Sequence, residues 1–212
     1  MSSVIVPVGL SMGPRFRYVR PPDPTPECYE IHLGDDLLEL TETDAAVWAA
    51  AFIDAESHAK LKVSRESLIR LLQTAPKPEP RAAEIVDDLL QRGLLVEFDP
   101  YGDLEPVFRR HKLLPLGQGL GSTAEEPHLH RIGFANQPIL GVPVDVYGLW
   151  SFSFRDSDLW QSCVLYADDA ENVKDGDEPS EMTPQQVARD VSIHVPLMIA
   201  TSCAFLDPVT SP

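Results

Sequence analysis

The sequence predicts an α+β protein built as two tandem units, each a β-hairpin followed by three helices. Three observations predict it. Apolar spacing changes from strand-like to helical twice along the chain. Prolines and glycines fall mainly between those periodic stretches. Landmarks within residues 29–100 also recur, in the same order, within residues 130–208. The predicted organisation is an N-terminal arm (1–28), a first unit (29–100), a Gly/Pro/His-rich linker (101–129) and a second, diverged unit (130–208).

The arm offers one strand-like patch, Arg15 to Val19, stopped by Pro21, Pro22 and Pro24, which fix φ and remove backbone donors. In the first unit, Tyr29–Leu33 and Leu37–Leu40 flank the turn residues Gly34, Asp35 and Asp36 and predict a hairpin. Thr41 to Asp44 has capping chemistry for a helix running to about Ile53, with Val47, Trp48, Ala51 and Phe52 in one apolar sector. The stretch Ala55 to Val63 reads as an enlarged turn. Ser64 caps a second helix whose inner face is Leu68, Leu71 and Leu72. A third helix spans Arg81 to Arg92, with Ala82, Ile85, Val86, Leu89 and Leu90 as its stripe and Gly93 as its stop. The strand Leu94–Phe98 closes the unit. Hairpin, three helices and strand give a winged-helix-like outline.

The second unit repeats the landmarks. A hairpin over 130–142 precedes Trp150, which falls opposite Trp48; Val142 falls opposite Leu40, Phe154 opposite Phe52, and Leu206-Asp207-Pro208 opposite Phe98-Asp99-Pro100. Asp156 or Ser157 can cap a helix carrying Leu159, Trp160, Val164 and Leu165. Thr183, Pro184 and Gln186 form a capping signature for a helix carrying Val187, Val191 and His194, which Pro196 should kink or end. The acidic stretch Asp168 to Glu181 interrupts this unit alone and reads as a solvated loop.

Charge narrows the choice of partners. With 33 acidic and 17 basic residues the net charge is −16, and each unit carries −8. Such surfaces repel phosphate backbones, so nucleic acid is disfavoured. The charge suits a basic protein or peptide, or serves solubility alone. The three cysteines, Cys28, Cys163 and Cys203, lie far apart and form neither a disulfide framework nor a zinc motif. No secretory signal and no apolar run of about 20 residues is visible, which predicts a reduced, cytoplasmic protein.

Motifs for chemistry are sparse. Gly117, Gly119 and Gly121 form a G-x-G-x-G, but no clear strand precedes it and no helix follows, so linker is the better reading. His111, His128 and His130 include an H-x-H pair without further ligands at a suitable spacing. Glu42 and Asp44 suit a helix N-terminus on electrostatic grounds alone, and His194 lacks a catalytic partner. No nucleophile elbow, H-E-x-x-H or phosphate loop is present. The expectation is a protein that is not an enzyme and needs no cofactor.

Leu40-Thr41-Glu42-Thr43-Asp44-Ala45-Ala46-Val47-Trp48, with the ending Leu89-Leu90-Gln91-Arg92-Gly93-Leu94-Leu95, resembles the PqqD-like peptide chaperones, or RiPP recognition elements. The resemblance covers residues 29–98, about a third of the chain. It implies a winged helix that binds the leader of a precursor peptide and presents it to a modifying enzyme. By position, Ile31, Leu33 and Leu38 would flank the strand edge that takes the leader, and Ile85, Val86 and Leu89 would line the groove. The second unit departs from the pattern, with Val142-Pro143-Val144-Asp145 where the first has its signature. Two alternatives stand beside the peptide adaptor: a winged-helix transcriptional regulator, and a non-catalytic scaffold subunit of an enzyme complex. Helix Arg81–Arg92 sets Glu84, Asp87 and Asp88 against its two arginines, which argues against DNA.

Overall fold

The fold is α+β, with short antiparallel sheets and helices packed on a continuous interior. The computed structural model describes residues 3–171 and 182–210. Strands β1 (Val4–Pro7), β2 (Leu10–Phe16), β3 (Pro26–Leu33) and β4 (Asp36–Leu40) lead into helices α1 (Glu42–Ala50), α2 (Ala55–Ala59), α3 (Arg65–Thr74) and α4 (Ala82–Gln91), then β5 (Leu95–Phe98). The short helix α5 (Glu105–Phe108) follows. Strands β6 (His111–Pro115), β7 (Gln118–Gly121), β8 (Leu129–Phe134) and β9 (Gln137–Pro143) then lead into α6 (Val144–Phe152), α7 (Leu159–Glu171), α8 (Pro184–Ser192), α9 (Val195–Ala200) and β10 (Ala204–Pro208).

Both halves use one connectivity. A three-stranded antiparallel sheet, β2-β3-β4 or β7-β8-β9, is accompanied by a two-stranded pair, β1-β5 or β6-β10, in which the strand before the sheet meets the strand that closes the half. Corresponding hydrogen bonds fix the equivalence. Trp48 Nε1 donates to Leu94 O (3.1 Å), and Trp150 Nε1 donates to Cys203 O (2.9 Å). Val8 N donates to Leu94 O, and Leu116 N donates to Cys203 O. A methyl group on Gly9 would press on Ile31 Cγ2, and one on Gly117 would press on Ile132 Cγ2, each at 2.9 Å. These bonds place Leu94 opposite Cys203, so Phe98 lies opposite Asp207. The sequence register of Phe98-Asp99-Pro100 with Leu206-Asp207-Pro208 is therefore one residue out, because the terminal Asp-Pro pairs match by composition and not by ladder position.

The arm is not an appendage. Its strand begins earlier than Arg15, at Leu10, and it contributes β1 as well. Val4, Val6 and Val8 enter one core, with Trp150, Leu159 and Met198, while Ile5 enters the other, with Trp48, Leu68 and Val86. Strands buried on both faces read as unbroken apolar runs, so Val4 to Val8 shows no alternation to betray it. The linker is likewise structured: β6 and β7 lie within 101–129 and form the opening strands of the second half. Gly117 and Gly119 have a packing reason, a Cβ at Gly119 sitting 2.0 Å from Tyr147 Oη, and Gly121 takes a positive φ of 69°.

Helix boundaries follow local chemistry. Ser64 and Thr183 each make a reciprocal capping box, with Ser67 and Gln186 respectively. The Ala55 to Val63 turn contains α2, capped by Asp54 in the left-handed region. Asp158, rather than Asp156 or Ser157, caps α7, its Oδ1 accepting from Gln161 N at 2.7 Å. Pro196 neither kinks nor ends α8, which stops at Ser192; it opens α9, where its missing N–H costs nothing. Asp168, Asp169 and Glu171 belong to the end of α7, and the rest of the acidic stretch lies outside the described residues.

His58, on α2, is almost wholly buried; its Nε2 meets Ala51 O at 2.9 Å and its Nδ1 has no partner. Burial holds this imidazole below its ordinary pKa, and does the same to His111. In the unfolded chain both regain a pKa of about 6.5. Below that value the unfolded state takes up protons that the fold resists. Stability should therefore be complete above about pH 6.5 and decline as pH falls towards the folded-state values. Urea midpoints at about pH 7.5 and about pH 5.5 should show the drop, and His58→Phe should make it shallower. An equal midpoint at both pH values would contradict this placement of the two rings.

Candidate functional site: an open strand edge with three arginines

The residues expected to form a peptide groove are mostly interior. Ile31, Ile85, Val86 and Leu89 are buried in the first core, and Leu33 and Leu38 are half-buried against it. The reason is geometric: the inward face of β3 and the apolar stripe of α4 close over the same core, leaving those four side chains without an open surface. One border of the predicted hairpin is also taken, because β2 pairs along β3.

Two of the unpaired strand borders lie beside the residues expected to bind a peptide. The first belongs to β4. The Gly34-Asp35 turn sets Leu33 opposite Asp36 and alternates the ladder, so Leu37 and Glu39 aim their backbone groups away from β3. The second belongs to β5. Ile5 N donates to Val63 O, not to β5, which makes Ile5–Glu97 a non-hydrogen-bonded pair. By the same alternation Leu95 and Glu97 turn their N–H and C=O groups away from β1.

The β5 border faces a cleft of about 620 Å³. Leu90, Arg92 and Gly93 from the end of α4, Arg109, Arg110 and His111 from the α5–β6 junction, Leu33, and Pro208 with Val209 complete its walls. Contributions thus come from both halves. Hydrogen bonds from Gly9 N to Leu206 O and from Gly34 N to Asp207 Oδ1, both 2.8 Å, tie the halves together, and Val209 N donates to Arg110 O at 2.9 Å at the cleft itself.

The cleft differs from the acidic remainder of the protein in its concentration of arginines. Three arginines line it against a single carboxylate, Glu97. Arg92 pairs with Asp88 (3.1 Å) and Arg109 with Glu105 (2.7 Å), each an exposed pair one helical turn apart. Arg109 also lies 6.0 Å from the Trp160 ring centroid. Arg110 donates from Nε to Pro106 O at 2.9 Å and pairs with no carboxylate among the described residues. His111 is fixed by Nδ1 on Val107 O at 2.8 Å. The signal for this site was in the sequence: Arg109-Arg110-His111-Lys112 is a run of four basic-type side chains in a chain of net charge −16.

Other clusters resolve into structural roles. Ligand atoms of Cys28, Glu30 and Glu39 lie within 4.8 Å of one another, but Arg15 NH1 sits 2.8 Å from Glu30 and 2.6 Å from Glu39, filling the place a cation would take. His111, His128 and His130 form no comparable group; His130 stacks on Tyr147 with centroids 4.8 Å apart. All three cysteines are free and buried, and burial pushes the Cys163 thiol up to about 12. Among the described residues no helix is long and apolar enough to cross a membrane. No known protein family, curated protein or solved structure matches the chain.

Proposed function

We propose that the chain is a non-catalytic peptide-binding adaptor, one that receives a precursor (leader) peptide as an added strand and presents it to a modifying enzyme in peptide natural-product biosynthesis. The observation that supports this reading is the presence of unpaired strand borders, among them those at Leu37/Glu39 and at Glu97, on a protein of short sheets. Unpaired edge groups are ready templates for another chain, and a strand added there gains main-chain hydrogen bonds while neighbouring pockets read its side chains. The guest site envisaged from the sequence shifts accordingly, from the core residues of the hairpin and α4 to these borders. The regulator alternative gains nothing from α4: its carboxylates Asp87 and Asp88 already hold Arg65 and Arg92.

The test is fluorescence anisotropy with labelled precursor peptides encoded beside the gene. Saturable binding with a Kd of about ten micromolar or tighter is expected. Absence of binding for every such peptide at that concentration would contradict the adaptor.

A further inference from the structure

We infer that the cleft beside β5 is a docking groove for an acidic peptide in extended conformation, laid as a strand along Leu95 and Glu97. This rests on the peptide-binding reading above and adds the place and the charge of the guest. By the ladder alternation Glu97 and Leu95 both turn their backbone groups from β1 towards the cleft; Leu95 is only 2% exposed, so the border is open at Glu97, where a guest can pair with the main chain. Its volume of about 620 Å³ lies in the range of a ligand site and accommodates a few residues of extended chain. Selection then falls to the side chains around it.

Those side chains favour carboxylates. On a chain of net charge −16 an acidic guest is repelled by most of the surface, whereas this cleft, its arginines balanced by Glu97 and by the rim carboxylates Asp88 and Glu105, is locally close to neutral and presents Arg110 as a cation. Among the described residues Arg110 has no carboxylate partner, and its guanidinium can make a charge-assisted hydrogen bond. The ion pairs of Arg92 and Arg109 are exposed, contribute little and exchange readily for a better partner, while Trp160 lies under the Arg109 guanidinium. A strand shows successive side chains to opposite faces. A guest that alternates carboxylates with aliphatic residues therefore matches walls that mix arginines with Leu33, Leu90 and Val209.

The probes are short fluorescein-labelled peptides that alternate valine with glutamate, valine with glutamine, or valine with lysine, titrated with the full chain at low salt. The glutamate peptide should bind about tenfold more tightly than the glutamine peptide, the value of one charge-assisted hydrogen bond, and the advantage should shrink as salt is raised. The double substitution Arg109→Gln, Arg110→Gln, at exposed positions, should abolish that advantage without moving the thermal midpoint. Amide resonances of Leu95 and Glu97 should shift on binding. Equal affinity for the glutamate and glutamine peptides, shifts at Leu37 and Glu39 instead, or tighter binding of a single-stranded RNA would each overturn the groove. None of these outcomes touches the adaptor reading, which the precursor peptides judge separately.

Discussion

Trp150→Ala is expected to destabilise the fold by about 3–5 kcal/mol, and Trp48→Ala by a similar amount. Both indoles are buried on the first helix of their half. Each N–H holds the carbonyl that precedes the closing strand, Cys203 O for Trp150 and Leu94 O for Trp48, the latter ring also donating to Val8 O at 3.2 Å. Alanine would open a cavity and remove one hydrogen bond from a carbonyl that backbone N–H groups (Leu116 and Gly117 for Cys203, Val8 for Leu94) also hold. Phenylalanine would refill most of the volume but not the hydrogen bond, so Trp150→Phe should cost less, with about 0.5–1.5 kcal/mol from the lost bond. Urea unfolding followed by circular dichroism measures all three. A midpoint for Trp150→Ala equal to that of the unaltered protein would show that this ring does not join helix to closing strand.

The second large effect concerns β1. Ile5→Ala should cost about 2–5 kcal/mol, although it lies in a segment that reads as a dispensable arm. Ile5 is fully buried in the core of Trp48, while its neighbours Val4 and Val6 are buried in the core of Trp150. The strand is a shared wall. Loosening it exposes both interiors at once, so Ile5→Ala should keep a single unfolding transition and move the whole of it. Two separated transitions, one unaffected, would mean that the halves fold independently and that β1 serves only the first.

What the sequence made legible was the part governed by local pattern. Ser64, Thr183 and the stripe from Ala82 to Leu89 placed their helices within a residue or two, because capping and 3.6-residue spacing are local facts. Trp48 and Trp150 marked equivalent places for a similar reason. The rest depended on distant pairing. Nothing in Val4 to Pro7 announces a partner at Leu95 to Phe98, and His111 to Pro115 waits for Ala204 to Pro208. The burial of four of the six expected groove residues has the same origin. Ile31 and Leu89 look like pocket residues in sequence, and only the closure of sheet against helix buries them. The arginine cleft exists only because α4, β5 and the α5–β6 junction meet.

Native-state hydrogen exchange on the free protein tests the open border most directly. The ladder predicts slow amides at Val96 and Phe98, which face β1, and a fast amide at the exposed Glu97, which faces the cleft, with Leu95 slowed by its burial. Uniform protection of all four would mean that the border is already occupied, and the account of a guest strand there would fail.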